Sequence, residues 1–274
     1  MSMPREELVI EAGRSDLHYW RDLWRYRELL FFLAWRDVLV HYKQTAVGIA
    51  WAVIRPVFAM AAFAFVFGRI AKLPSAGQPY PLLVFAGMLP WLFFAQALAE
   101  AGNSLINNAS MISRVYFPRL LVPASTIAVC LVDLLIALSL LALLLAWYGQ
   151  APDWRVLALP FFILLAAALA LGAGLWVAAL NVSYRDFRYL VPFAIQIGLF
   201  VSPVGYSSAL VPEQWRLAYS LNPMVGVIDG FRWAILGAEL WQPAVWISLA
   251  WAGALLATGV AHFRRTERGF ADVI

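Results

Sequence analysis

Six stretches of this 274-residue sequence stay apolar for about 20 residues each, at roughly 48–68, 80–99, 120–147, 156–180, 189–211 and 241–263. The hydrocarbon core of a bilayer is about 30 Å thick, so an α-helix needs about 20 such residues to cross it. Barrel strands are shorter and alternate in polarity, whereas these runs are continuous, so helices are expected. Composition agrees: 63% of residues are hydrophobic and 13% charged, against about half and about a quarter in soluble domains. So few charges cannot cover a core of this size, and lipid must solvate much of the exterior. The reading is an all-α integral membrane protein with six transmembrane helices.

Lysine and arginine set the orientation. With both termini in the cytoplasm, the inner segments hold fourteen of the twenty, seven of them before residue 46. The outer loops then hold five (Arg69, Lys72, Arg155, Arg216, Arg232), and Arg55 lies in the first apolar run. Residues 1–28 are charged and lack an apolar core segment, so no cleavable signal is expected there. The domain plan is a cytoplasmic N-terminus with an interface helix (1–45), a transmembrane domain (46–263) and a cytoplasmic tail (264–274). The location expected is a membrane, crossed several times.

Residues 20–43 form another kind of helix. Trp20, Leu23, Trp24, Leu30, Phe31, Ala34, Trp35, Val38 and Tyr42 fall on one face, with Arg21, Arg25, Arg36 and Lys43 opposite. This is the pattern of a helix lying in the membrane interface, its basic residues toward lipid phosphates. Arg27 interrupts the apolar face. The inner loop at 100–119 is polar, with Leu105, Ile106, Met111, Ile112, Val115 and Tyr116 spaced for a short helix ended by Pro118. Near 212–238, Pro212 and Pro223 mark two helix starts. The spacing predicts short re-entrant helices over 213–221 and 224–236, because the segment is too apolar for a plain outer loop.

No catalytic centre is expected. There is no phosphate-binding GxxxxGK[ST] loop, the three histidines have no ligand spacing, and the single cysteine, Cys130, excludes a disulfide or thiolate cluster. The basic balance is assigned to membrane topology, not to nucleic acid. Asp133 lies about 20 Å into the third run at the helical rise, and suits packing or pore lining better than proton coupling. The chain thus has a membrane path and no engine. A transporter of this kind borrows its engine through a cytoplasmic coupling element, and the 100–119 loop and the interface helix suit that role.

Several ordered motifs carry a resemblance. Arg36-Asp37, then His41-Tyr42-Lys43-Gln44-Thr45-Ala46-Val47-Gly48, Trp51 and Pro56 form the first. Leu89-Pro90-Trp91 with Phe93-Phe94, Val115-Tyr116-Phe117-Pro118-Arg119, and Asn181 with Tyr184-Arg185-Asp186 follow. Ser202-Pro203-Val204, Tyr206, Val211-Pro212 and Asn222-Pro223-Met224 complete the set. Together they resemble the membrane (permease) subunits of ABC exporters that move O-antigen, capsule and teichoic acid polysaccharides. The sequence departs from that pattern at His41, Val47 and Arg55.

The resemblance implies a homodimer bound to two copies of a cytoplasmic ABC ATPase, with Mg-ATP on the partner and no cofactor or metal in this chain. It implies a lipid-linked glycan passing between the two copies, along aromatic candidates Trp51, Phe58, Trp91, Phe93, Phe94 and Phe200. Arg21, Arg25, Arg27, Arg36 and Lys43 would meet the lipid phosphates. Asn107, Asn108, Met111, Arg114, Tyr116, Phe117, Arg185 and Asp186 would couple to the ATPase. Trp215, Tyr219, Asn222, Pro223 and Phe231 would form the outer gate. A permease of the same architecture exporting a drug, lipid or small metabolite is the alternative.

Overall fold

The computed structural model describes residues 16–43, 50–75, 77–115, 117–184, 186–267 and 270, and among these it contains helices and no strand. Two helices precede the spans: α1 (Asp16–Arg25) and α2 (Arg27–Lys43). Five long apolar helices follow the crossing criterion of length and composition: α3 (Ala50–Ile70), α4 (Tyr80–Asn107), α6 (Leu121–Trp147), α7 with its short 3-10 lead-in (Trp154–Ser183) and α11 (Gln242–Thr266). One turn of helix, α5 (Ala109–Ile112), follows α4. Between α7 and α11 lie α8 (Phe187–Val201), α9 (Glu213–Tyr219) and α10 (Pro223–Leu236).

The fifth of the six expected spans, at 189–211, is shorter than expected. Its helix α8 has 15 residues, about 22 Å at the helical rise, and stops at Val201. Pro203 explains the stop: it lacks an N–H, and it pushes Ser202 out of the helical region, where ψ is 152°. The rest of that apolar run is turns and one short 3-10 segment, Ser208–Leu210. Two further boundaries shift. Residues 100–107 belong to α4, so the inner loop's helix shrinks to the single turn of α5. The expected tail is helical through Thr266, and Phe270 packs its ring 5.4 Å from Phe263.

α4 is the spine, packed on α6, α7 and α10. Membrane helices approach closely where small residues meet, and α4 and α7 do so at Ala101 and Gly174. A β-carbon on Gly174 would stand 2.7 Å from that of Ala101. Gly172 and Gly259 serve α7 and α11 in the same way, a Gly259 β-carbon falling 2.5 Å from the Gly172 carbonyl. Asn181 adds a polar tie, donating to the Gly102 carbonyl at 2.7 Å. By contrast α3 and α8 are thinly packed: Pro56 is the one buried residue of Ala50–Phe63, and Val191 the one in α8.

The expected single interface helix is two helices that meet at Tyr26. Trp20, Trp24, Phe31 and Trp35 of its apolar face are exposed, as a lipid-facing stripe should be. A second stripe faces protein: Leu33 is buried, and Tyr26, Leu29 and Leu30 pack on a cluster formed by Leu105, Ile112, Leu121 and Phe263.

Candidate functional site

At the outer end, α9 and α10 lie within two residues of their expected bounds. Asn222 caps α10, its Oδ1 accepting from the Met224 amide at 3.0 Å, with Pro223 in the first turn. Gly237 ends the helix at φ 68°, a left-handed position that favours glycine. The helix is buried along nearly its whole length, Met224 through Arg232. Arg232, assigned from sequence to an outer loop, is 3% exposed. Its guanidinium donates to three backbone carbonyls: Leu83 at 3.1 Å, Tyr206 at 2.8 Å and Val204 at 2.8 Å.

Those bonds explain how non-helical chain survives beside the spans. Backbone polar groups at membrane depth must be satisfied by protein, and the turn after α8 gets its partners from Arg232. Gly87 makes room, since a β-carbon there would stand 2.4 Å from Nη2. Asp229, one turn earlier and 5% exposed, is met by the Ser208 hydroxyl. Tyr219 shares a hydroxyl bond with Tyr206 at 2.9 Å, and Asn222 donates to Ser202 Oγ at 2.9 Å. Of the other gate candidates, Phe231 is fully buried and Trp215 is 61% exposed. Sequence reasoning missed Asp229 and Arg232. Their signal is two ionisable residues three apart in an otherwise apolar helix.

A cleft of about 420 Å³ opens between α2, α4 and α6. Arg36, Asp37, His41, Gln96, Glu100 and Asn108 are among its walls. Arg36 is held by Asp37 at 2.7 Å and donates to Asn108 Oδ1 at 3.0 Å, with Met111 Sδ at 3.9 Å. One lipid-phosphate candidate is therefore turned toward the coupling turn, while Arg21, Arg25, Arg27 and Lys43 are exposed. Beyond the cleft's walls, on α6, Asp133 accepts from Tyr42 and, at 2.7 Å, from Gln96. Asp133 is 14 residues from Trp147 at the outer end of α6, about 21 Å at the helical rise. Leu121 at the other end is 12 residues away, so Asp133 lies at the middle of α6.

Of the coupling candidates, Asn107, Arg114 and Asp186 are exposed, Asn108 and Met111 half-buried, and Phe117 is buried in the inner cluster. Tyr116 and Arg185 lie outside the described residues, as do Gln44 to Gly48 of the first motif. α1 meets the end of α11 at Glu267, where Tyr19 donates to the carboxylate at 3.1 Å and Arg119 donates to the backbone carbonyl. Burial, with the Glu267 carboxylate beside it, pushes the Tyr19 phenol above its usual value and keeps it a donor.

The six aromatic channel candidates separate. Trp51, Phe58 and Phe200 are exposed on α3 and α8, at 45%, 73% and 61%. Trp91 and Phe93 are core residues: Trp91 lies 5.8 Å from the Phe94 ring and over Gly198, whose added β-carbon would meet it at 2.5 Å. Arg55 stands 5.8 Å over the Trp51 ring.

Known proteins resemble this chain over most of its length. The family model described as "ABC-2 type transporter" matches residues 28–236. The O-antigen export system permease protein RfbA of Myxococcus xanthus is 26% identical over 261 residues, which cover 93% of this chain and 98% of that protein. RfbA of Klebsiella pneumoniae is 24% identical over 249 residues, 90% and 95% of the two chains. The polysialic acid transport protein KpsM of Escherichia coli is 22% identical over 208 residues, 73% and 78%.

Proposed function

The chain belongs to the ABC-2 type transporter family, and from that premise we propose that it is the permease subunit of an ATP-driven exporter of O-antigen-like polysaccharide. The observation that carries the reading is the end-to-end match to an O-antigen export permease, 98% of that protein's length. The chain is a transport subunit and not an enzyme. It works in the inner membrane as a homodimer, with both termini in the cytoplasm and two copies of a separate ABC ATPase beneath it.

The geometry supports a division of labour. The partly exposed segment at 107–115, with Asp186, faces the cytoplasm and offers Asn107, Met111 and Arg114 to the ATPase. The thinly packed α3 and α8 carry exposed aromatic faces toward the second copy. Trp51, Phe58 and Phe200 there suit a sliding glycan, because the CH faces of sugars stack on rings without a deep trap. The exposed Arg21, Arg25, Arg27 and Lys43 lie where the phosphates of a lipid-linked glycan would sit. Each such charge is worth about 1 kcal/mol near an anionic surface.

Deletion of the chain in a strain without a paralogue tests the reading. The expected result is lipid-linked polymer trapped inside the cell and a bare surface. Normal surface glycan in that strain refutes it.

A further inference from the structure

α2 is held at two points. Near its middle Arg36 donates to Asn108, at the break between α4 and α5, at 3.0 Å. Six residues later, about 9 Å along the helix, Tyr42 donates to Asp133 on α6. The other oxygen of Asp133 takes the Gln96 amide of α4 at 2.7 Å, and His41 Nε2 stands 3.8 Å from it. One carboxylate therefore joins α2, α4 and α6. The next described helix is α3, which begins at Ala50 and has a single buried residue before Phe63. A firmly tied helix thus precedes a loosely packed one.

We infer that α2 is a strut that carries movement of the 108–112 turn into α3, and that Tyr42 and Asp133 are its joint. Asp133 is a positioning residue in this scheme. It sits within the apolar part of α6, where a hydrogen bond to a carboxylate is stronger than in water. The joint therefore holds while α3, with few contacts to break, shifts against α4 and α6. Without it α2 would pivot about Arg36, and a push at the coupling turn would not reach α3. This inference rests on the permease reading above.

The test uses the full complex in membrane vesicles and reads polymer exported per ATP hydrolysed. A second readout is a polarity-sensitive probe on Ala62→Cys, an exposed α3 position, in a Cys130→Ala chain with and without ATP. Tyr42→Phe should hydrolyse ATP at the wild-type rate, export about tenfold less polymer per ATP, as one hydrogen bond to a charged group warrants, and lose the ATP-dependent probe signal. Asp133→Leu also loses the Gln96 bond, but Tyr42→Phe combined with it should lose less than the sum of the two single losses, since both remove the Tyr42 contact. Asp133→Asn should stay near wild type, because its amide oxygen still accepts from Tyr42 and a flipped Gln96 completes the pair.

Wild-type export by Tyr42→Phe, or additive losses in the double variant, would overturn the strut. So would an inactive Asp133→Asn beside an active Tyr42→Phe, the mark of a proton carrier. A wild-type chain that moves no polymer overturns the permease reading instead. The probe then decides the strut alone, and an ATP-dependent signal that survives in Tyr42→Phe, or is missing from the wild type, overturns it.

Discussion

Arg232 in the outer hairpin and Arg36 in the inner helix pair both tie together segments distant in sequence, under opposite conditions. Arg232 is 3% exposed and gives all its donating nitrogens to backbone carbonyls of its own chain. The Arg36 side chain is 37% exposed, and its partners are the side chains of Asp37, Asn108 and Met111. A guanidinium on backbone carbonyls is part of the fold. One shared among surface side chains can exchange partners at small cost. The Arg232 end is thus finished within the chain, while the Arg36 end keeps partly exposed polar groups.

The sharpest way to break this contrast is Arg232→Ala. Three carbonyls lose their donor, and each unsatisfied buried group costs about 1–3 kcal/mol. The variant should fail to accumulate in membranes, or should unfold in detergent well below the wild type; an unchanged melting curve would show that the outer turn does not depend on Arg232. Gly87→Ala attacks the same clasp from the other side. Its β-carbon would stand 2.4 Å from Nη2, so the guanidinium must shift, at a cost of about 1–3 kcal/mol for overpacking. Combined with Arg232→Ala it should add little, because the atom it displaces is then gone.

The outer hairpin was also the part of the molecule easiest to read in advance. Pro212 and Pro223 marked its helix starts, and its apolar spacing excluded a plain loop. What stayed hidden was depth. Counting charges put Arg232 in an outer loop, since a sequence does not say which arginine finds carbonyls inside the protein. Continuous apolarity likewise promised a helix through residue 211, although Ser202-Pro203 stops it and the Arg232 bonds make the stop tolerable. On α2 the difficulty was different. Two apolar stripes lie side by side there, and the one face read from sequence mixes lipid-facing rings with Leu23 and Leu30, which pack on protein, and omits Tyr26, Leu29 and Leu33. Asp133 stands out in the sequence as an ionisable group within an apolar run, but nothing there pairs it with Tyr42, which falls on the lipid-facing stripe.

Tyr219→Phe sharpens the comparison at smaller scale. It removes one hydroxyl bond to Tyr206, worth about 1 kcal/mol, and leaves the three bonds of Arg232 in place. A small drop in unfolding temperature with normal accumulation is expected. A loss as large as that of Arg232→Ala would mean that the hairpin is held by its tyrosines, and the role given to the guanidinium would fall.

Arg36→Ala should have the smallest effect on stability and still separate the two ends of the molecule. Its ion pair is partly solvated, so its removal should cost under about 1 kcal/mol, and the chain should reach the membrane in normal amounts. Its bond to Asn108 nevertheless joins α2 to the turn proposed above to meet the ATPase. Polymer exported per ATP hydrolysed should therefore fall while hydrolysis continues. Equal losses of accumulation and transport would make Arg36 a second Arg232, a part of the fold. Loss of transport alone would leave the outer arginine as structure and the inner one as a moving contact, which is the distinction their burial implies.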